Sequence, residues 1–157
     1  MMFDHPHDDP VLILDDEQCW RLLENTQHGR LVLVVDGEPD IFPVNFAVQH
    51  GDDGGRSLIF RTAPGTKLAK ATVNDRVLFE TDGILSDEAW SVIVRGTARQ
   101  LQGSSEIAEA EALNLQPWVP TVKDHYVRIA PTEVGGRHFR FGPHPERELG
   151  EGSEAGL

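Results

Sequence analysis

A single cysteine, Cys19, stands in 157 residues. An intramolecular disulfide is thereby excluded, and without a CxxC pair so is a cysteine zinc site. A lone thiol suits a reducing, cytoplasmic setting. Nowhere do eighteen apolar residues run together, and Met1 to Pro10 has no basic stretch leading into an apolar core, so neither a membrane span nor an export signal is expected. Basic charge is scarce, with 14 Lys and Arg against 26 Asp and Glu, a net charge of -12. Such a surface repels a phosphate backbone and carries no basic stripe interleaved with aromatics, which argues against nucleic acid as a partner. The H-E-x-x-H, G-x-S-x-G and P-loop patterns are missing too, and the seven histidines are too scattered to suggest metal ligands. Metal hydrolase and serine hydrolase chemistry drop out.

What is present describes one domain. A hydrophobic content of 39% supports a core, expected over residues 11–142, between polar, disordered tails at 1–10 and 143–157. His5 and His7 read as part of the solvated N-terminal tail rather than as a metal pair. Asp15 caps a helix with Gln18 three residues on, and Cys19, Leu22 and Leu23 share one face, so Cys19 is a core packer; the helix is expected to stop near Gly29. Leu31 to Val35, the Asp36-Gly37 turn and Ile41 to Val48 predict a hairpin. Pro43 has no N–H for a ladder, which places it at an edge or bulge and leaves backbone groups of Val44, Asn45 and Phe46 open to a ligand. A plain strand kink explains it equally well. Further strands are predicted at Ser57 to Thr62, Arg76 to Glu80, Trp90 to Ala98 with Gly96 as a bulge or close approach, Tyr126 to Ile129, and Val134 to Phe141. Thr81 to Ala89 reads as turn-rich and Glu106 to Leu115 as a second full helix. Hairpin spacing without a βαβ rhythm predicts a mainly β fold with a few short helices, a six- or seven-stranded antiparallel barrel.

The most informative stretch is Phe60-Arg61-Thr62-Ala63-Pro64-Gly65-Thr66-Lys67, a strand that breaks at Pro-Gly and resumes as a helix. Helix N-termini leave N–H groups unpaired and attract anions. Arg61 and Lys67 add charge there, and Thr62 and Thr66 add hydroxyl donors. No Asp or Glu occurs between Asp53 and Asp75, whereas Arg56, Arg61, Lys67 and Lys70 do. A phosphate site and an ordinary solvated connection both fit the spacing. Glu80 and Asp82, two apart on a strand, face one side; a solvated or Arg-paired strand end accounts for them better than an acid/base pair.

Cys19-Trp20-Arg21-Leu22-Leu23, Gly29-Arg30-Leu31, Pro43-Val44-Asn45-Phe46, Phe60-Arg61-Thr62 with Lys67-Leu68, and Trp90-Ser91-Val92 together resemble the pyridoxamine 5'-phosphate oxidase-like family, over about residues 12 to 140. The resemblance implies an FMN-binding split β-barrel and a homodimer with a flavin at the subunit interface. It implies that Arg61, Thr62 and Lys67 contact the FMN phosphate and ribityl chain. Val44, Asn45 and Phe46 would line the isoalloxazine, and Trp90, Ser91 and Trp118 would close the pocket from the other subunit. Ala89 stands where the family usually has Gly. No catalytic side chain is implied, because the flavin carries the redox chemistry. The function implied is an FMN-dependent oxidoreductase with NAD(P)H as hydride donor and an unassigned substrate. The family also contains F420-dependent reductases and flavin- or haem-binding proteins without turnover. FMN is favoured over F420 because an anionic polyglutamate tail would meet acidic surface beyond Lys70.

Overall fold

A computed structural model describes residues 2–63, 75–115 and 125–143. Among these described residues, seven antiparallel strands form one sheet: β1 (Val11–Leu14), β2 (His28–Val35), β3 (Glu38–His50), β4 (Arg56–Thr62), β5 (Asp75–Ile84), β6 (Glu88–Gln100) and β7 (His125–Arg140). They are accompanied by helices α1 (Asp16–Glu24) and α2 (Ser104–Glu111). The order is β1-β7-β4-β3-β2-β5-β6, and β6 also pairs with β7, which closes six of the strands into a barrel. One edge of β7 is bonded to β6 along almost its whole length. Its other edge meets β4 at residues 125–129 and β1 at residues 136–139, so the wall is split between those two partners. The expected split barrel is present.

Local chemistry explains most of the elements. Asp15 Oδ1 accepts from the Gln18 N–H at 2.8 Å while Gln18 Oε1 accepts from the Asp15 N–H at 3.0 Å, a reciprocal cap that starts α1. Cys19, Trp20, Leu22 and Leu23 of that helix are buried, and burial pushes the Cys19 thiol up to about 11, with Asp16 and Asp15 adding to the shift. Asp36 and Gly37 both have positive φ, 51° and 80°, the geometry of the two-residue turn that joins right-twisted strands. Pro43 lies in the part of β3 that pairs with β2; the β3–β4 ladder covers only residues 46–50, so Pro43 sits on an unpaired edge as expected.

Several expectations are corrected. Helix α1 ends at Glu24, and Gly29 lies inside β2, where a Cβ would collide with the Phe79 ring and the Glu80 carbonyl oxygen. Helix α2 stops at Glu111 rather than Leu115. Residues 81–89 are mostly strand, since β5 runs to Ile84 and β6 starts at Glu88. The two C-terminal strands are one, β7, which passes Pro131 and Thr132 with a register shift opposite Arg95 and Gly96. The seventh strand is instead β1, four residues too short to register as a pattern. The N-terminal residues do not behave as a solvated tail: Phe3 and His5 are buried against β6 and β7. The tail expected beyond Pro143 lies outside the described residues.

Gly96 is a point of close approach, because a Cβ there would overlap the Ala130 carbonyl, and the bulge beside it is carried by Thr132 of β7. Gly96→Ala is expected to destabilise the fold by about 1–3 kcal/mol, read from the urea midpoint. An unchanged midpoint would mean that β7 yields freely at Pro131.

Helix α2 is held by charge. Arg99 grips Glu106 with two bonds of 2.8 and 3.1 Å, and Arg128 lies 3.5 Å from the same carboxylate while donating to Gln49 at 2.7 Å. The Arg99 hydrogen bonds, above all, hold the Glu106 carboxyl down at about 2. A depressed carboxylate contributes stability that is present above its ordinary value of about 4.3 and lost as pH falls through its folded one. Arg99→Ala should therefore move the Glu106 titration, followed by carboxyl NMR, back toward the ordinary range. Titration still near 2 in that variant would shift the cause to Arg128.

Candidate functional site

Strand alternation sorts the anticipated site residues into two groups. Leu58, Phe60 and Thr62 of β4 face the barrel interior, while Ile59 and Arg61 face outward, where Ile59 packs with Leu101, Ala110 and Tyr126. On β3, Val44 and Phe46 belong to the interior and Asn45 to the outer face. Val44, Phe46 and Phe60 are 7%, 3% and 0% exposed, so their side chains are held in the core. Phe46 and Phe60 are cross-strand partners, and one further step of that register sets Asn45 beside Arg61 on the outer face.

Arg61 is positioned rather than loose. Its guanidinium lies over the Tyr126 ring at 5.3 Å and Nη1 donates to the Leu115 carbonyl at 3.4 Å. Stacking on an aromatic face restrains an arginine. Beside it, Gln27, Asn45, Phe46, Ala47, Leu113, Asn114 and Leu115 line a cleft of about 160 Å³. The cleft joins three amide side chains to two apolar leucines. Gln27, whose carbonyl accepts from the Phe46 N–H at 3.0 Å, was not picked out from the sequence. Only the β2–β3 register reveals it.

Thr62 is buried, and its hydroxyl makes a long contact of 3.5 Å with the Ala63 carbonyl. Its register partner His125 accepts at Nδ1 from Gln100 Nε2 at 2.8 Å. Arg56, counted with the basic segment, is structural: it pairs with Glu17 and lies over the Trp20 indole at 5.2 Å. Glu80 and Asp82 are Arg-paired as expected, with Arg30 Nη1 at 2.7 and 3.6 Å from them. Burial, followed by a hydrogen bond to Asp82, pushes the Glu80 carboxyl up against the pull of Arg30. Thr66, Lys67 and Trp118 lie outside the described residues, as does the helix anticipated after Pro64.

Trp90 and Ser91 do not join this group. Trp90 is 8% exposed within the core, its indole against Gly83, where any Cβ would meet the ring at 2.5 Å. Ser91 faces outward from β6. In the six-membered ring of strands β6 lies opposite β3, three steps away in either direction. Outward side chains of Asn45 and Ser91 therefore diverge, and one chain cannot place both on the same pocket.

The comparisons agree with this architecture. The model of the family described as pyridoxamine 5'-phosphate oxidase matches residues 15–138. An uncharacterised protein of Mycobacterium tuberculosis is 48% identical over 93 residues, covering 59% of this chain and 84% of that protein. The structure of the FAD binding protein from Mycobacterium smegmatis is 45% identical, covers 82% of this chain and 98% of its own, and superposes with a TM-score of 0.71. A Corynebacterium glutamicum structure assigned to the same oxidase group is 44% identical, with 87% and 98% coverage and a TM-score of 0.76. With the family match extending from the capped helix to the end of the barrel, the chain belongs to the pyridoxamine 5'-phosphate oxidase family.

Proposed function

We propose that this protein is a flavin-dependent oxidoreductase working as a homodimer. The observation that carries the flavin reading is Arg61, held on Tyr126 beside a cleft of amide and leucine side chains. That donor set fits a phosphorylated flavin. A cation answers the phosphate, Asn45 and Gln27 offer amide hydrogen bonds to a heterocycle, and Leu113 and Leu115 cover an apolar ring. Lys67 and Thr66 would complete the phosphate contacts. A bound flavin supplies two-electron chemistry with NAD(P)H as donor; the side chains named here bind and orient it and keep water from one side.

The sequence points to FMN. Kinship with the Mycobacterium smegmatis protein, named for FAD, points to FAD, which adds an adenylate half to the same phosphate and ring system. Mass spectrometry of the acid-released cofactor separates the two.

The dimer follows from the divergence of Asn45 and Ser91, since only a second copy can bring a Ser91 wall to an Arg61 wall. It is supported by apolar side chains around Ser91 on the outer face: Ile13 is 76% and Ile84 80% exposed, with Ile93 beside them. A cytoplasmic setting accords with a single, buried thiol, and among the described residues no helix is long and apolar enough to cross a membrane.

The deciding experiment is spectroscopic. The purified protein should be yellow and be bleached anaerobically by NADH or NADPH. A yellow protein reduced by neither nicotinamide nor reduced F420 would indicate a carrier, and a Soret band without flavin absorbance would indicate haem handling.

A further inference from the structure

The N-terminal segment is fastened to the barrel end by a buried line of titratable groups that the flavin reading does not use. Nε2 of His5 and Nδ1 of His138 are 2.6 Å apart, and His5 Nδ1 is 2.5 Å from the Asp9 carbonyl oxygen. His138 Nε2 lies 3.6 Å from Glu88 Oε1, and the same carboxylate accepts from the Met2 N–H at 3.2 Å. His138 has no accessible surface, and His5 and Glu88 have little. Among the described residues, the other charged or titratable groups around the line are few. Arg140 of β7 pairs with Asp8 at 3.3 Å, and Arg21 of α1 lies over Phe3 at 5.9 Å. The Cys19 thiol, beside Gly136, is kept protonated by burial.

Counting protons along this line gives a definite answer. A carbonyl only accepts, so His5 Nδ1 carries a proton. If both rings were neutral, the proton shared between them would sit on His138 Nδ1. His138 Nε2 would then aim a lone pair at a carboxylate where water does not reach. Among the described residues that nitrogen has no hydrogen-bond partner, and two buried acceptors facing each other are costly. A proton on His138 Nε2 turns the contact into a charge-assisted pairing with Glu88. We infer that His138 is an imidazolium between His5 and Glu88, and that this proton locks residues 2–9 onto the end of the barrel. The segment has little shape of its own, since His7 and Asp8 both sit in the left-handed region, with φ of 59° and 55°.

The lock has an optimum. Attached, the two imidazoles share one added proton, because a second on His5 Nε2 would oppose the His138 Nδ1–H and loss of the first would leave His138 Nε2 facing Glu88 as an acceptor. Attachment is therefore weakened both by acid, which adds the second proton, and by alkali, which removes the first.

The test is imidazole ¹⁵N NMR on the whole protein, with detachment read from the Phe3 ring protons, whose ring lies edge-on to His138 at 5.3 Å. The expected result at pH 7.5 is one doubly protonated ring, His138, and one neutral Nδ1–H ring, His5. Glu88→Gln offers an amide donor to a neutral His138, so attachment should become independent of pH on the alkaline side and remain pH-dependent on the acid side. Two neutral rings with Phe3 still packed would overturn the inference. So would a Glu88→Gln profile matching the wild type. Should that variant fail to fold, the wild-type imidazole spectrum decides alone.

Discussion

Phe79→Ala is expected to lower the free energy of unfolding by about 3–5 kcal/mol, the range for a fully buried Phe truncated to Ala. Phe79 is completely buried, stands edge-on to Phe46 at 4.7 Å and 65°, and lies over Gly29. Truncation removes the aromatic pair together with the transfer energy of the ring, and neighbouring strands tied into a closed barrel have little freedom to collapse into the void. Set against a typical total of about 5–15 kcal/mol, this leaves the variant near the edge of folding. Urea denaturation monitored by circular dichroism measures it. A loss below about 1 kcal/mol would show that Phe79 is not the centre of this core.

The second large effect concerns the cofactor. Replacing both Arg61 and Lys67 with Ala removes two charge-assisted contacts of about 1.5–3 kcal/mol each, so flavin affinity should fall at least tenfold. Arg56→Ala is the matched control: it removes one basic charge from the same stretch, but one committed to Glu17 and Trp20, and flavin affinity should stay within about twofold. Fluorescence titration of the apoprotein with FMN and FAD gives both numbers. If the double variant binds like the wild type, or if Arg56→Ala matters as much, the anion site is elsewhere.

The two variants probe features of different legibility. Local signals single out Arg61 as a candidate: a strand-like run, a break at Pro64-Gly65 and a cluster of positive charge. Its neighbours Gln27 and Leu115 carry no such signal, because they reach Arg61 only through the β2–β3 register and the end of α2. Trp90 and Ser91 are adjacent in sequence and were expected to act together, yet alternation on β6 sends one into the core and the other outward. Arg56 reads as one more phosphate-facing cation until the fold brings Glu17, 39 residues earlier, against it. The N-terminal segment looked solvated for the same reason, since His5 has no local partner and finds His138 at a separation of 133 residues.

What the amino-acid sequence determined by itself was whatever depends on neighbours a few residues apart. The reciprocal Asp15 and Gln18 cap, the Asp36-Gly37 turn, the donorless Pro43 and the alternation that marks the longer strands are settled by covalent geometry and local hydrogen bonding. Tertiary structure decided which face each strand shows and which distant charges meet. A strand's two faces are equivalent until a core claims one of them. A buried ionisable group is likewise tolerable only after long-range folding supplies its partner.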